Sequence, residues 1–335
     1  MTIFTTSMHN NKLKLLLPST TARAGWDVAK ARADIEAIPF DPNMPTAAFH
    51  ALLRDAHGVG LGLTPFAEAE LRAAPNLRVV ARHGVGYDTV DVAALTRHGI
   101  PLMVTGIANS PSVAEQALFF MFALAKRGAV LHALVRDNRW ADRLKELPLD
   151  LFGKNVLVVG FGRIGTRLAR SCLALGMSVQ VYDPYVDAAA IRAAGCIPAG
   201  ELETALERAD FVSIHCPKNS ETIGMFNAER LACMKSSAYL INTARGGIID
   251  EAALNAALTR GVIAGAGLDV FDREPISPDN PLPHLPNVIT APHMAGVTVE
   301  AFDRMAVATV QNLLDVLDGK PNLDHVVNKE VFAHR

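Results

Sequence analysis

Cysteines are few in this sequence, and they do not cluster. The 335 residues contain four, Cys172, Cys196, Cys216 and Cys233, with no CxxC pair and no His/Cys group at metal-ligand spacing. This distribution argues against a disulfide framework and predicts no metal site. Reduced thiols are typical of the cytoplasm, which is the location that we predict.

An excess of one charge and a long apolar run are also missing. The 32 basic and 34 acidic residues leave a net charge of −2, which argues against a nucleic-acid partner. The most apolar run, residues 117–125, is too short to span a bilayer, so we expect no membrane partner. The amino-terminal MTIFTTSMHNNK lacks the apolar centre of a secretory signal. What remains is the composition of an ordinary globular protein, long enough for two domains.

Strands alternate with helical patterns along the chain, and this alternation predicts an α/β fold with parallel sheets. Between the first two strands we expect a helix over residues 22–37, and after the first unit a single long apolar helix over residues 112–135. The first unit ends near Gly106. Its predicted strands are residues 12–18, 38–40, 58–63, 77–82 and 102–105.

A second unit follows, and its alternation matches a complete doubly wound sheet of six strands. A final helical pattern, residues 299–317, ends at Gly319-Lys320-Pro321, which is a good stop signal. The predicted strands of the second unit are residues 156–159, 178–182, 211–215, 238–242, 263–268 and 288–290.

The second unit opens with a glycine pattern, Gly160-x-Gly162-x-x-Gly165, between its first strand and first helix. In this context the pattern predicts a dinucleotide site. The first glycine permits the tight turn, the second lets the backbone approach a pyrophosphate, and the third lets helix and strand pack closely. The helix amino terminus offers unpaired N–H groups to the phosphates.

Asp183 ends the next strand and is placed to accept hydrogen bonds from the adenosine ribose. A carboxylate there repels a 2′-phosphate, and the following residue is Pro184 rather than arginine. The sequence therefore predicts NAD rather than NADP as the cofactor.

Reactive side chains follow three other strands of the second unit, at the edge where open α/β sheets bind ligands. Arg245 is able to grip a carboxylate with two parallel hydrogen bonds. His293 is suited to acid/base chemistry near neutral pH, and Glu274 to orienting its ring. Asp269 is placed to accept a bond from the nicotinamide carboxamide. A surface or purely structural role remains open for each of them.

Five segments together resemble the D-isomer-specific 2-hydroxyacid dehydrogenases, the family that includes phosphoglycerate, glyoxylate/hydroxypyruvate and D-lactate dehydrogenases. The resemblance covers nearly the whole chain and is clearest from Arg82 to Val327. The segments are GVGYD at 84–88, NSPSVAE at 109–115, VGFGRIG at 159–165, INTARGG at 241–247 and PHMAG at 292–296.

The resemblance implies a role for each candidate. Arg245 binds the substrate carboxylate and keto oxygen, and His293 is the acid/base with Glu274 as its partner. The N–H groups around Val85 and Gly86 hold the carboxylate from the other domain. The remaining implied cofactor contacts are Arg163 and Ile164 at the pyrophosphate, Thr243, Asp269 and Gly296 at the nicotinamide, and Pro217 at the adenine.

The resemblance also implies a domain plan. Residues 1–106 and 298–335 form a flavodoxin-like substrate domain, and residues 107–297 form an NAD-binding Rossmann domain inserted into it. The active site is then the cleft between the two. The long apolar helix resembles the family's homodimer contact, and Trp140 is implied to reach toward the partner's active site.

Departures from the family pattern bear on the substrate. Residues 60–66, GLGLTPF, carry no cation for a substrate phosphate, which disfavours phosphoglycerate unless Arg82 or His83 supplies the charge. Related formate dehydrogenases have Gln at the position of Glu274, and phosphite dehydrogenases have Lys near His83. The chain ends soon after the final helix, so we expect no regulatory domain.

Two functions remain in view. The first is an NAD-dependent enzyme that interconverts a small 2-keto acid and its D-2-hydroxy acid, with glyoxylate, hydroxypyruvate, lactate-like, sulfonated and bulkier acids all open. The second is an NAD-sensing binding protein of the corepressor type, which shares the fold and the same three residues. The compact sequence, without added peptide-binding segments, favours the enzyme.

Overall fold

The computed structural model describes residues 12–145 and 147–333, and the chain divides into two compact units. Unit 1 is formed by Met1–Asn109 and Thr298–Arg335, and unit 2 by Ser110–Val297. Each unit is built on its own parallel sheet with flanking helices. The predicted α/β fold with two parallel sheets is therefore confirmed.

Over its described residues, unit 1 has a five-stranded sheet in the order β2-β1-β3-β4-β5, the order typical of flavodoxin-like folds. Its strands are β1 (Leu13–Pro18), β2 (Ile35–Phe40), β3 (Gly58–Leu61), β4 (Val79–Arg82) and β5 (Leu102–Met103). The helices between them are α1 (Arg23–Lys30), α2 (Thr46–Leu53), α3 (Glu68–Ala73) and α4 (Val92–Arg97).

The predicted helix over residues 22–37 is wrong beyond Lys30. Residues from Ile35 onward pair in parallel with β1, beginning with Leu13 opposite Ile35, and Ile35 is buried. Arg32 and Asp34 form an ion pair at 2.7 Å in the intervening turn. The helical spacing of this stretch is therefore overridden by sheet pairing, which sequence spacing alone does not reveal.

In its described residues, unit 2 has a seven-stranded sheet in the order β12-β11-β10-β9-β6-β7-β8. Its strands are β6 (Asn155–Val159), β7 (Ser178–Tyr182), β8 (Ile197–Pro198), β9 (Phe211–Ile214), β10 (Tyr239–Asn242), β11 (Gly265–Leu268) and β12 (Val288–Thr290). Its helices are α5 (Ser110–Ala125), α6 (Gly128–Arg136), α7 (Gly165–Ala174), α8 (Ala188–Ala193), α9 (Leu202–Arg208), α10 (Ala228–Ala232) and α11 (Glu251–Thr259).

Two features of unit 2 differ from the prediction. The sheet gains β8, an edge strand of two residues that is too short to show an alternating pattern. The single long helix over residues 112–135 is instead α5 and α6, bent by 52°. Arg127 adopts the left-handed conformation at the break (φ 52°), and the N–H of Leu149 donates to the carbonyl oxygen of Ala125, where α5 ends.

Among the described residues, no single helix has the length and apolar content of a membrane span; α5 and α6 meet that standard only when taken together.

The last helix, α12 (Val299–Leu317), has the bounds that the sequence predicts and belongs to unit 1. The hydroxyl of Thr298 accepts a hydrogen bond from the N–H of Ala301 and caps its start. Its packing against α1 is close, because a Cβ added at Gly25 would lie 3.0 Å from the Cβ of Ala306. Unit 1 is thus completed by a helix that begins 196 residues after the end of its fifth strand, at Val299 against Met103.

Candidate active site

The glycine pattern of unit 2 forms the turn between β6 and α7, as the fingerprint predicts. Gly160 has a φ of 96°, and a Cβ there would lie 2.6 Å from the backbone nitrogen of Cys216. A Cβ at Gly165 would lie 2.0 Å from the carbonyl oxygen of Gly160, so only glycine fits. At Gly162 a Cβ would meet no protein atom within 4 Å. The first and third glycines therefore serve packing, and the second leaves the turn open to a pyrophosphate.

Asp183 fixes the end of β7 against this turn. One carboxylate oxygen accepts the N–H of Phe161 at 2.7 Å, and the other accepts the N–H of Tyr185 at 2.9 Å. Each oxygen keeps a further lone pair for a ribose hydroxyl. The residues thus fit an adenine dinucleotide. The N–H of Phe161, in the glycine turn, already orients the Asp183 carboxylate.

The predicted pair of His293 and Glu274 is in contact. Nδ1 of His293 lies 2.6 Å from Oε2 of Glu274, and the other Glu274 oxygen accepts the N–H of Phe271 at 3.0 Å. A carboxylate held in this way fixes the orientation of the imidazole and leaves Nε2 to exchange a proton. The side chains are 43% and 37% exposed, so the pair is accessible.

The loop that carries His293 is strained, and hydrogen bonds to Asp269 hold it in place. His293 has a φ of 55°, which is uncommon outside glycine. Its N–H donates to the carbonyl oxygen of Asp269 at 2.7 Å, and the Asp269 carboxylate accepts the N–H groups of Met294 and Ala295 at 2.8 Å each. Burial raises the pKa of Asp269, although these hydrogen bonds act in the opposite direction. Sequence reasoning missed this bracing role; the nicotinamide contact stays a prediction.

Arg245 lies in a loop that a buried amide closes. The Asn242 side chain, 2% exposed, accepts the N–H of Ala244 at 3.0 Å and donates to the carbonyl oxygen of Arg245 at 2.9 Å. A Cβ at Gly246 would lie 1.8 Å from the carbonyl oxygen of Phe271, so the loops after β10 and β11 pack directly together. Asn242 is a second residue that sequence reasoning missed, because its partners are backbone groups.

The three catalytic candidates follow neighbouring strands. Arg245 comes after β10, Glu274 after β11 and His293 after β12, and these strands are adjacent in the sheet. Because all are parallel, their carboxyl ends lie at one edge. Other predicted cofactor residues share this edge: Arg163 and Ile164 in the turn before α7, Pro217 after β9, Thr243 after β10 and Gly296 after β12.

Thr243 offers an independent sign of a ligand. Its side-chain oxygen is buried, and in the described part of the chain it has no hydrogen-bond partner. A buried hydroxyl without a partner is uncommon and destabilising. Its position directly after β10 fits the predicted contact with the cofactor.

The glycine loop of unit 1, which includes Val85 and Gly86, follows β4 and is braced by a buried arginine. Arg82 is 6% exposed and donates to the carbonyl oxygens of Gly86 and Leu61 at 2.8 and 3.1 Å. The adjacent His83 is largely buried, and this burial together with the charge of Arg82 lowers its pKa to about 4. Arg82 thus ties the loop to β4 at Gly86, and the adjacent histidine is uncharged at neutral pH.

A dinucleotide turn and an imidazole–carboxylate pair on one sheet edge are typical of nicotinamide-dependent dehydrogenases. The family model for D-isomer specific 2-hydroxyacid dehydrogenase, NAD binding domain, matches residues 118–295. The chain belongs to this family. The family and the presence of an NAD-binding domain, both predicted from the sequence, are confirmed.

Two similar proteins align with most of the length of this chain. It is 40% identical over 279 residues to a glyoxylate reductase of Korarchaeum cryptofilum, which covers 82% of this chain and 83% of the relative. It is 38% identical over 251 residues to a D-3-phosphoglycerate dehydrogenase of Archaeoglobus fulgidus, covering 75% of this chain but only 47% of that protein. The chain therefore spans about half the length of that relative.

A solved structure shows the same fold. The D-lactate dehydrogenase of Aquifex aeolicus, complexed with NAD and lactic acid, aligns with a TM-score of 0.82 at 28% identity, over 94% of this chain and 99% of that one.

Proposed function

We propose that the protein interconverts a small 2-keto acid and its D-2-hydroxy acid with NAD as the redox partner. The observation that carries this proposal is the contact of His293 with Glu274, on strand-end loops beside the Arg245 loop. The names of a glyoxylate reductase and a D-lactate dehydrogenase among the similar proteins support it.

Hydride transfer, proton transfer and carboxylate binding are each assigned to a different group. A dinucleotide held by the glycine turn and Asp183 would supply or accept the hydride at C2 of the acid. His293, protonated and held through Nδ1 by Glu274, donates a proton from Nε2 to the carbonyl oxygen, and in the reverse direction it accepts the hydroxyl proton. Arg245 binds the substrate carboxylate and polarises the carbonyl. Val85 and Gly86 keep their proposed role as carboxylate-binding N–H groups, in a loop that Arg82 braces.

The substrate that we propose is unphosphorylated. Residues 60–66 contain no lysine or arginine, so a phosphate at this part of unit 1 depends on Arg82 or His83. The Arg82 guanidinium donates to two backbone carbonyls and is almost fully buried. His83 has a pKa lowered to about 4 and is neutral at pH 7. Neither side chain is therefore suited to bind a phosphate dianion.

A panel of 2-keto acids assayed by NADH absorbance tests this proposal. We expect turnover of at least one small acid among glyoxylate, hydroxypyruvate, pyruvate, a sulfonated acid and a bulkier acid. Phosphorylated hydroxypyruvate should show a kcat/KM lower than that of hydroxypyruvate by about tenfold or more, because the charge-assisted bonds to its phosphate are missing. Tight NADH binding without turnover of any acid would instead favour the binding protein of the corepressor type.

We assign substrate binding to residues 1–106 with 298–335 and NAD binding to residues 107–297. The flavodoxin-like strand order of unit 1 and the fingerprint in unit 2 support this division. The cysteines of the described chain are all free thiols, which supports a reducing compartment such as the cytoplasm.

We further propose that the protein is a homodimer through the apolar surface of α6 and the segment that follows it. Val135, Trp140 and Leu144 are 64%, 63% and 70% exposed, and within the described chain no residue of α6 is buried. Exposed apolar side chains that lie near one another in sequence support an interface at this surface.

Val135→Glu should convert the dimer into monomers in sedimentation velocity, because it places a charge in that apolar surface. Ile223→Glu, at a similarly exposed residue (59%) outside this segment, is the matched control and should leave the dimer intact. A monomeric wild-type protein at micromolar concentration would refute the interface.

A further inference from the structure

Two loops flank the glycine turn at its adenosine end. β6 lies between β7 and β9 in the sheet, so the loops after β7 and β9 stand on either side of the turn after β6. The second loop is in close contact with the turn, since a Cβ at Gly160 would lie 2.6 Å from the nitrogen of Cys216. In a dinucleotide whose pyrophosphate lies on this turn and whose ribose meets Asp183, the adenosine lies between these two loops.

A hydrogen bond joins the two loops. The phenol of Tyr185 donates to a carboxylate oxygen of Glu221 at 2.5 Å. Both ends are held by their own loops: the N–H of Tyr185 donates to Asp183 at 2.9 Å, and the N–H of Glu221 donates to the Asn219 side chain at 2.9 Å. Tyr185 is 76% exposed. Glu221 is exposed as well, so both side chains are open to a nucleotide at this end of the turn.

The bond fixes a second negative charge near the first. The hydrogen bond from Tyr185 to Glu221 raises the pKa of the phenol, and the charges of Glu221 and Asp183 add to this shift. The phenol therefore lies within the field of both carboxylates. Lys218, a cation in the same loop, extends toward Gly247: a Cβ built there would lie 2.8 Å from its Nζ. The adenosine end of the site thus carries two acids.

We propose that Glu221, held in place by Tyr185, is a second specificity-determining residue that acts with Asp183 to exclude a 2′-phosphate and so selects NAD over NADP. This inference rests on the proposed function, because it assumes a dinucleotide on the glycine turn. A phosphate dianion placed between two carboxylates meets repulsion that a 2′-hydroxyl does not, and the hydroxyl can also donate to either acid.

Direct binding measurements test the proposal without any substrate. The dissociation constants of NADH and NADPH are measured by nucleotide fluorescence with wild-type protein, Glu221→Gln and Tyr185→Phe. Glu221→Gln should lower the ratio Kd(NADPH)/Kd(NADH) by about tenfold, through tighter NADPH binding with NADH nearly unchanged. Tyr185→Phe keeps the ring but frees the carboxylate, and should lower the ratio by a smaller factor. The wild-type ratio should also fall as salt rises, because salt screens exposed charges.

Glu207→Gln is the matched control, because it also removes one carboxylate charge. Glu207 lies in the last turn of α9, just before β9 begins, and is therefore at the opposite edge of the sheet from the proposed cofactor site. It should leave the ratio unchanged. An unchanged ratio in Glu221→Gln, or an equal change in Glu207→Gln, would overturn the role of Glu221. A wild-type protein that binds neither nucleotide would overturn the proposed function and this inference with it, whereas a failure of Glu221→Gln alone leaves the proposed function standing.

Discussion

His293→Ala should lower kcat by about 10³-fold while leaving the dissociation constant of NADH unchanged, because the variant lacks the group that protonates the carbonyl oxygen. The imidazole is 43% exposed, and Glu274 is its close polar partner, so truncation removes little packing. Steady-state kinetics on the best acid of the panel, together with NADH titration, measure the two quantities separately.

The backbone at this position requires a second variant. His293 has a φ of 55°, a conformation that alanine tolerates poorly and asparagine tolerates well. His293→Asn therefore removes the acid/base group without adding backbone strain, and it should be as inactive as His293→Ala. Substantial activity in His293→Asn would show that the alanine variant fails through its loop. Loss of NADH binding together with activity would show that the assigned role is wrong.

Much of the site could be predicted because its signals are local. The glycine turn is a pattern within six residues. At Gly160 and Gly165 a Cβ would clash with backbone atoms, which explains why the pattern requires glycine there. Arg245, Glu274 and His293 each follow a recognisable strand, and the shared edge of a parallel sheet brings such ends together. The contact of His293 with Glu274 is what this reasoning anticipates.

The residues that hold the site in shape could not be predicted in the same way. Asp269 braces N–H groups 25 and 26 residues further along the chain, and Asn242 closes a loop through backbone atoms. Such bonds depend on how two loops pack against each other, and residue spacing in the sequence does not predict that packing. The end of α1 and the break at Arg127 could not be predicted for a related reason, since strand pairing with β1 sets the first and a left-handed residue sets the second.

Asp269 also explains why the site tolerates a strained residue. The three hydrogen bonds between Asp269 and the loop at residues 293–295 hold His293 at its positive φ. Strain of this kind amounts to about 1–3 kcal/mol and persists only where neighbouring bonds outweigh it. The acid/base group is therefore presented by a loop with little freedom to rearrange, which favours a fixed orientation of the imidazole during proton transfer.

Arg245→Ala should lower kcat/KM by about 10³-fold with NADH binding unchanged, because the substrate loses both its carboxylate partner and the cation that polarises its carbonyl. The substitution also removes the hydrogen bond from Nη1 of Arg245 to the carbonyl oxygen of Ala244 at 2.7 Å, but the bonds to Asn242 remain. Asn242 holds this loop through the backbone carbonyl of Arg245 and the N–H of Ala244, and both groups survive truncation of the side chain. The loop should therefore keep its shape while the guanidinium is lost.

Arg245→Lys separates charge from geometry. A lysine restores the positive charge but offers no fork of parallel donors, so it should recover only a small part of the lost kcat/KM. Added guanidinium should partly rescue Arg245→Ala and leave Arg245→Lys unaffected, since only the alanine variant has room for it. A lysine variant as active as the wild type would show that charge alone suffices at this position. A parallel loss of NADH affinity in both variants would instead place Arg245 in the cofactor site, and the carboxylate-binding role would then pass to the N–H groups of Val85 and Gly86.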